Sequence, residues 1–141
     1  MLVGTHEHRV DSKGRVVLPS RFREGLGEEL IATVGIDPCV SIYGLGGWEG
    51  LFNRLSSLSS SRASHRDLKR LLMASAVQVE PDSMGRLLVP SYLREHAKIT
   101  RDVYIIGVGD HVEIWDREEW DRRRARLMDE LPSIVEEVDG L

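Results

Sequence analysis

The chain has 141 residues and a formal net charge of −4, with 41% hydrophobic and 30% charged residues. This length suits one compact domain, or two very small modules that share a core. The single cysteine, Cys39, excludes an intrachain disulfide and a cysteine-rich zinc site. No apolar stretch approaches the ~18 residues of a membrane span, and the first residues lack the basic and apolar segments of a signal peptide. We therefore expect a cytoplasmic protein.

The first half of the chain predicts short strands around a tight turn. A strand leads through His8–Val10 into the turn Asp11–Gly14, where the aspartate can cap backbone amides and the glycine can take a positive φ. The chain returns as a strand at Arg15–Leu18, and Pro19 ends it. Ser20 is then the predicted N-cap of a short helix. Two further strands are predicted at 31–34 and 40–43.

The segment 11–24, DSKGRVVLPSRFRE, recurs at 82–95 as DSMGRLLVPSYLRE, with eight of fourteen positions identical. A fainter likeness continues one residue out of phase, matching 31–35 to 103–107 at an offset of 72. Two copies of one supersecondary unit explain the pattern. We place the first module at residues 5–47 and the second at 76–119. Because either unit alone would bury little surface, the predicted fold is α+β, with the two modules fused about a pseudo-twofold axis and flanked by helices.

Helices are predicted after each copy. Apolar residues spaced for one helical face follow the first copy, beginning at Trp48. A serine-rich linker is expected at 56–64, and a second helix at 66–73. After the second copy, Asp116 and Glu119 resemble a capping box ahead of Trp120.

Arg15 and Arg86 are the leading candidates for ligand contact. Each follows the turn glycine of its copy, at the predicted tip of a hairpin, and a β-ribbon can enter the DNA major groove, where arginine pairs with guanine. The structural alternative is that Asp11, Gly14, Asp82 and Gly85 only make the turns and that each arginine pairs with its own aspartate. Turn geometry requires no arginine, so we favour a DNA contact for the arginines and a loop-shaping role for the aspartates and glycines.

The two copies differ beside these arginines. Lys13 and Arg9 are further candidates for DNA contact, but the second copy has Met84 and Glu80 in their places. The first copy is therefore expected to bind DNA more strongly. Arg21, Arg23 and Arg94 lie on the short helices, where solvated charges are the simplest interpretation.

The net charge argues against a nucleic-acid ligand, but it is unevenly distributed. Residues 1–25 carry five basic against three acidic side chains, and residues 56–70 carry four against one. Residues 110–141 carry eleven acidic and five basic side chains. The acidity is therefore concentrated at the C-terminal end, which leaves a basic face possible elsewhere.

No other residues assemble into a site. His6 and His8 share one side of a strand but lack a third metal ligand nearby, so no metal is expected. Cys39 is expected to be a small buried residue. The sequence contains no phosphate-binding loop and no nucleophile elbow. We expect no catalytic residues, no cofactor and no small-molecule substrate.

The paired D-x-x-G-R motifs, the L-P-S and V-P-S that follow them, and Ile114-Trp115-Asp116 with Trp120 together resemble the MraZ family. The resemblance covers roughly residues 1–128 and leaves the acidic tail outside. It implies two SpoVT-AbrB-type modules in a swapped-hairpin-like β-barrel core. It also implies a bacterial transcriptional regulator, a repressor by expectation, of the division and cell-wall gene cluster. Such proteins bind short upstream direct repeats as rings of subunits, with Lys13, Arg15 and Arg86 contacting double-stranded DNA.

A ring would answer the charge objection, because several weak modules on consecutive repeats gain by effective concentration. The main rival interpretation is an oligomeric, antitoxin-like protein-interaction module whose partner binds the tail beyond Met128. A small enzyme is the weaker rival, for want of a catalytic constellation. Salt-sensitive binding to upstream DNA separates the first interpretation from both rivals.

Overall fold

A computed structural model describes residues 1–141 as an α+β protein with eight strands and five helices. The strands form one antiparallel six-stranded sheet and one separate two-stranded ribbon. In chain order the elements are β1 (Leu2–Arg9), β2 (Arg15–Val17), α1 (Ser20–Leu26), β3 (Leu30–Val34), β4 (Val40–Gly44), α2 (Leu45–Ser56), α3 (Ala63–Ala74), β5 (Val77–Val79), β6 (Arg86–Leu88), α4 (Ser91–His96), β7 (Asp102–Gly109), β8 (Val112–Asp116) and α5 (Arg117–Glu137).

The two copies exchange strands. The sheet order is β1-β7-β8-β4-β3-β5, so the first strand of each copy pairs with the hairpin of the other copy. The central strands β4 and β8 pair about Ser41 and Glu113, with Val40 opposite Ile114 and Ile42 opposite Val112. The ribbon strands β2 and β6 likewise pair about Val16 and Leu87. A pseudo-twofold axis through these two pairs relates the copies, as the repeat predicts.

The strands do not close into the barrel expected from the sequence. β1 and β5 are the two free edges of the six-stranded sheet. The ribbon strands are three residues long and use their ladder hydrogen bonds on each other. No strand is therefore left to join the two edges.

The repeat is in a different register from the expected one at β3 and β7. Leu30 lies opposite Gly44, and Val103 lies opposite the equivalent Asp116, so Leu30 corresponds to Val103. The offset is thus 73 and not 72, and the glycines at 35 and 107 are not equivalent. Burial agrees with the structural register, because Leu30 and Val103 are both buried. A shift by one residue would turn the buried side chains of a strand to the other face.

One hydrophobic core joins both copies. Its 22 buried side chains come from the inner face of the sheet, the ribbon and the short helices. Repeat-related pairs such as Val16 and Leu87, or Phe22 and Leu93, all belong to it. The core therefore lies between the modules, and neither module has one of its own.

The helix ends follow the predictions only in part. Asp116 caps α5 by accepting the Glu119 amide at 3.3 Å, as expected. Ser20 is not the N-cap of α1, because the chain turns into the helix at Pro19 and no side chain caps it. The serine-rich linker shortens to residues 57–62, since α3 begins at Ala63. No helix is both long and apolar enough to cross a membrane.

Candidate nucleic-acid interface

The first loop is held closed by a single aspartate. One carboxylate oxygen of Asp11 accepts the backbone amides of Lys13 and Arg15, each at 2.9 Å. The other oxygen accepts Arg15 Nε at 2.8 Å. Gly14 completes the turn at φ +83°, a conformation that favours glycine. The loop-shaping role predicted for Asp11 and Gly14 is consistent with this geometry.

The second loop repeats the first. Asp82 accepts the amides of Met84 and Arg86 at 2.9 Å and Arg86 Nε at 2.8 Å. Gly85 has φ +77°. Backbone hydrogen bonds from the arginine amide lower the pKa of both Asp11 and Asp82, and the arginine side chain adds to this effect. Both carboxylates are therefore ionised at neutral pH, and each holds the Nε edge of its arginine.

The predicted hairpin at each loop is not formed. The turn 11–14 joins β1 to β2, yet β1 pairs with β7 and β2 pairs with β6. The structural alternative from the sequence, that each arginine pairs with its aspartate, is correct for Nε. The remaining Nη groups of Arg15 and Arg86 make no hydrogen bond within the chain. Both conditions hold at once: the arginine is anchored, and its outer nitrogens are free to bind a ligand.

The ribbon brings the two arginines onto one outward face. Val16 and Leu87 point inward and are buried, so the alternating residues point outward. Arg15 lies opposite Leu88, and Arg86 lies opposite Val17. Diagonal neighbours in such a ladder stand roughly 7–8 Å apart. The outward face therefore presents two guanidinium groups between two exposed aliphatic side chains.

Two further arginines hold the loops across the pseudo-twofold axis. The Arg94 guanidinium carbon lies 3.0 Å from the position of a Cβ on Gly14, and that of Arg23 lies 3.2 Å from the same position on Gly85. Their Nε atoms donate to the carbonyls of Val89 and Leu18, at 3.0 and 3.2 Å. Each arginine thus supports the loop of the other module. The expectation that Arg23 and Arg94 are simple solvated charges is wrong, because sequence alone does not show this exchange.

The surroundings of the two loops differ in charge. A concavity beside the second loop is lined by Arg23 and Asp82 together with Glu24, Glu28 and Glu80. The sequence offset of 71 places Arg9 of the first copy at the position of Glu80. Lys13 likewise stands at the position of exposed Met84. The first loop is therefore the more electropositive of the two.

Arg9 lies apart from the arginines of the ribbon. It ends β1, opposite Asp102, and its Nε contacts that carboxylate at 3.2 Å. Both side chains are exposed, so this ion pair contributes little stability and can be exchanged for another anion. Lys13 is exposed and makes no ion pair. The remaining candidates from the sequence have packing roles: the His6 ring stacks edge-on against Phe22 at 5.0 Å, and Cys39 is a buried thiol.

The chain matches a protein-family model described as "MraZ protein, putative antitoxin-like", once over residues 1–71 and again over 72–137. The second match reaches past Met128, so the tail belongs to the resemblance, contrary to expectation. It is 43% identical over 140 residues to "Transcriptional regulator MraZ" of Caldanaerobacter subterraneus subsp. tengcongensis, covering 99% of this chain and 98% of that protein. It is 47% identical over 138 residues to the protein of the same name from Acetivibrio thermocellus, covering 98% and 96%. Such names indicate a transcriptional regulator and point away from an enzyme. With both halves matched and full-length relatives at this identity, the chain belongs to the MraZ family.

Proposed function

We propose that this transcriptional regulator binds double-stranded DNA through the outward face of the β2–β6 ribbon. The observation that carries the proposal is the placement of Arg15 and Arg86 on one face, each anchored at Nε by an aspartate. An anchored guanidinium loses less side-chain entropy on binding, and its free nitrogens suit the two acceptors of guanine in the major groove. Lys13 and Arg9 supply further contacts beside the first loop, with Asp11, Gly14, Asp82 and Gly85 shaping both loops.

The finer features follow from the family resemblance. We propose two SpoVT-AbrB-type modules, at residues 5–47 and 76–119, acting as one DNA-binding unit. The target is the bacterial division and cell-wall gene cluster, including the gene for this protein, recognised at short upstream direct repeats and repressed. The protein would then act in the cytoplasm, on the nucleoid. Multivalent binding by a ring offsets the negative charge of a single subunit.

DNA binding is tested by titrating the full chain against its own upstream DNA at several salt concentrations. We expect specific binding that weakens steeply with salt, because phosphate contacts release counterions. A scrambled duplex of equal length and composition is the control. Equal affinity for both duplexes, or no binding to either at low salt, would reject the proposal.

The family description favours one second candidate, an antitoxin-like module that binds a protein partner. In that role the ribbon face would contact protein, and its exposed aliphatic residues Val17 and Leu88 would supply the apolar area. The salt titration separates the two functions, since a protein-interaction module shows no preference for upstream DNA.

A further inference from the structure

The C-terminal half of α5 presents an amphipathic surface that has no partner within the subunit. None of the 21 residues of α5 is buried. The apolar side chains fall in one stripe at helical spacing, namely Leu127, Met128, Leu131, Ile134, Val135 and Val138. Met128 keeps 52% of its surface exposed and Leu131 keeps 47%. This stripe is therefore available to pack against another surface.

The same segment is strongly acidic. Residues 127–141 contain five acidic and no basic side chains. None of the five makes an ion pair within the chain; they are Asp129, Glu130, Glu136, Glu137 and Asp139. Glu130 and Glu137 are seven residues apart and so lie in one row beside the apolar stripe. The segment thus offers an apolar strip with an acidic border.

A groove of opposite charge lies between α2 and α3. It has a volume of about 410 Å³ and an apolar floor that includes Leu55, Leu58 and Met73. Arg66 and Lys69 line it, and neither has a carboxylate partner. Lys69 instead lies over the Phe52 ring at 5.2 Å. The groove therefore matches the α5 stripe in both polarity and charge.

The groove is out of reach of the α5 of its own subunit. The sequence offset of 72 relates α2 to α5, which follow the antiparallel central strands β4 and β8. The two helices therefore begin at opposite ends of the sheet. α5 packs on β7 and β8, whereas α2 and α3 pack on β3 and β4. Only the α5 of a second copy can enter the groove.

We propose that the acidic half of α5, from Leu127 to Val138, docks into the α2–α3 groove of a second copy of this chain. The stripe would pack on the groove floor while Glu130 and Glu137 approach Arg66 and Lys69. Each copy offers one helix and one groove, so the contact is head-to-tail and generates a ring or an open array. The inference concerns the assembly that the proposed function needs, and it makes no use of the DNA contact.

Charge exchange tests this pairing without DNA. The groove variant carries Arg66→Glu and Lys69→Glu, and the helix variant carries Glu130→Lys and Glu137→Lys. We expect each alone to need at least tenfold higher concentration than the unmodified chain to assemble, measured by sedimentation. Mixed in equal amounts they should recover assembly, because every contact then joins opposite charges. Glu28→Lys with Glu29→Lys is the control, at exposed acids that make no ion pair.

The apolar part is tested on the same helix. Leu131→Asp adds a charge to the stripe, while Ser133→Asp adds the same charge on the opposite face. We expect the first to dissociate the assembly and the second to leave it intact, with equal helix content for both. Two results overturn the proposal: assembly that survives the charge reversals or Leu131→Asp, or impaired variants that fail to recover on mixing. A monomeric unmodified chain also overturns it.

Discussion

The Arg94 guanidinium lies 3.0 Å from the position that a Cβ on Gly14 would occupy, across the boundary between the two modules. Gly14 also has φ +83°, so a side chain there meets both backbone strain and a close neighbour. We expect Gly14→Ala to destabilise the fold by about 1–3 kcal/mol, measured by denaturant unfolding. Gly46→Ala is the control, because Gly46 has open space around its Cβ position and an ordinary φ. Equal stability of the two variants would contradict this account.

Arg15 is expected to act through its free Nη groups. Arg15→Ala should lower specific DNA affinity by about 1–3 kcal/mol per site, with the fold and the assembly unchanged. Arg15→Lys should not restore binding, because one ammonium cannot both hold Asp11 and bind guanine at two points. Electrophoretic mobility shifts with upstream DNA measure both variants. Binding that survives in well-folded Arg15→Ala would remove Arg15 from the interface.

The asymmetry of the loops predicts a gain of function. Met84 stands where the first copy has Lys13, and it is exposed. Met84→Lys should strengthen DNA binding and steepen the dependence on salt by about one phosphate contact. Met84→Gln is the control, since it adds polarity without charge. If the second loop lies away from DNA, the lysine variant will bind like the unmodified chain.

Lys98 has φ +56° at the end of α4, where the equivalent residue after α1 is Gly27 at φ +91°. The Ile99 amide donates to Arg94 and the Lys98 amide to Glu95, the pattern of a Schellman cap. A glycine relieves the strain of a left-handed residue, so Lys98→Gly should raise the free energy of unfolding by roughly 1 kcal/mol. Lys98→Ala keeps the strain and should give no such gain.

His111 links stability to pH. Burial opposes its protonation, but hydrogen bonds to Glu113 at 3.0 Å and Asp110 at 2.7 Å outweigh this, and the pKa of His111 is raised. The folded state thus favours the protonated ring. Its contribution is complete below the unfolded pKa of about 6.5 and is lost as pH rises through the higher folded pKa.

Unfolding free energies measured from pH 5.5 to 8.5 test this linkage. We expect the decline above pH 6.5 to be shallower in His111→Gln than in the unmodified chain. His65→Gln is the matched control, because the His65 ring lies in the α2–α3 groove and contacts no carboxylate. A decline that is the same in His111→Gln as in the unmodified chain would rule out His111 as its source.

Local features of this chain were predictable, and non-local ones were not. The turn at Asp11–Gly14 and the Asp116 cap depend on residues within a few positions of each other, so sequence suffices. The exchange of β1 and β5 depends on partners about a hundred and about fifty residues away, respectively. The β3 register was wrong because the glycines at 35 and 107 look equivalent, although loops of different length precede and follow the strands. Packing of Arg23 and Arg94 on the opposite loops follows from the exchange, so it was missed too.

The pairing of β1 with β7 also determines how the protein can fold during synthesis. Leu2 lies opposite Gly109, so the first strand to leave the ribosome waits for one of the last. At ~5–20 residues per second this delay is roughly 5–20 s. During that time β1 is an unpaired strand attached to an incomplete sheet, open to pairing with other nascent chains. The N-terminal strand is therefore the part of the growing chain most in need of a chaperone.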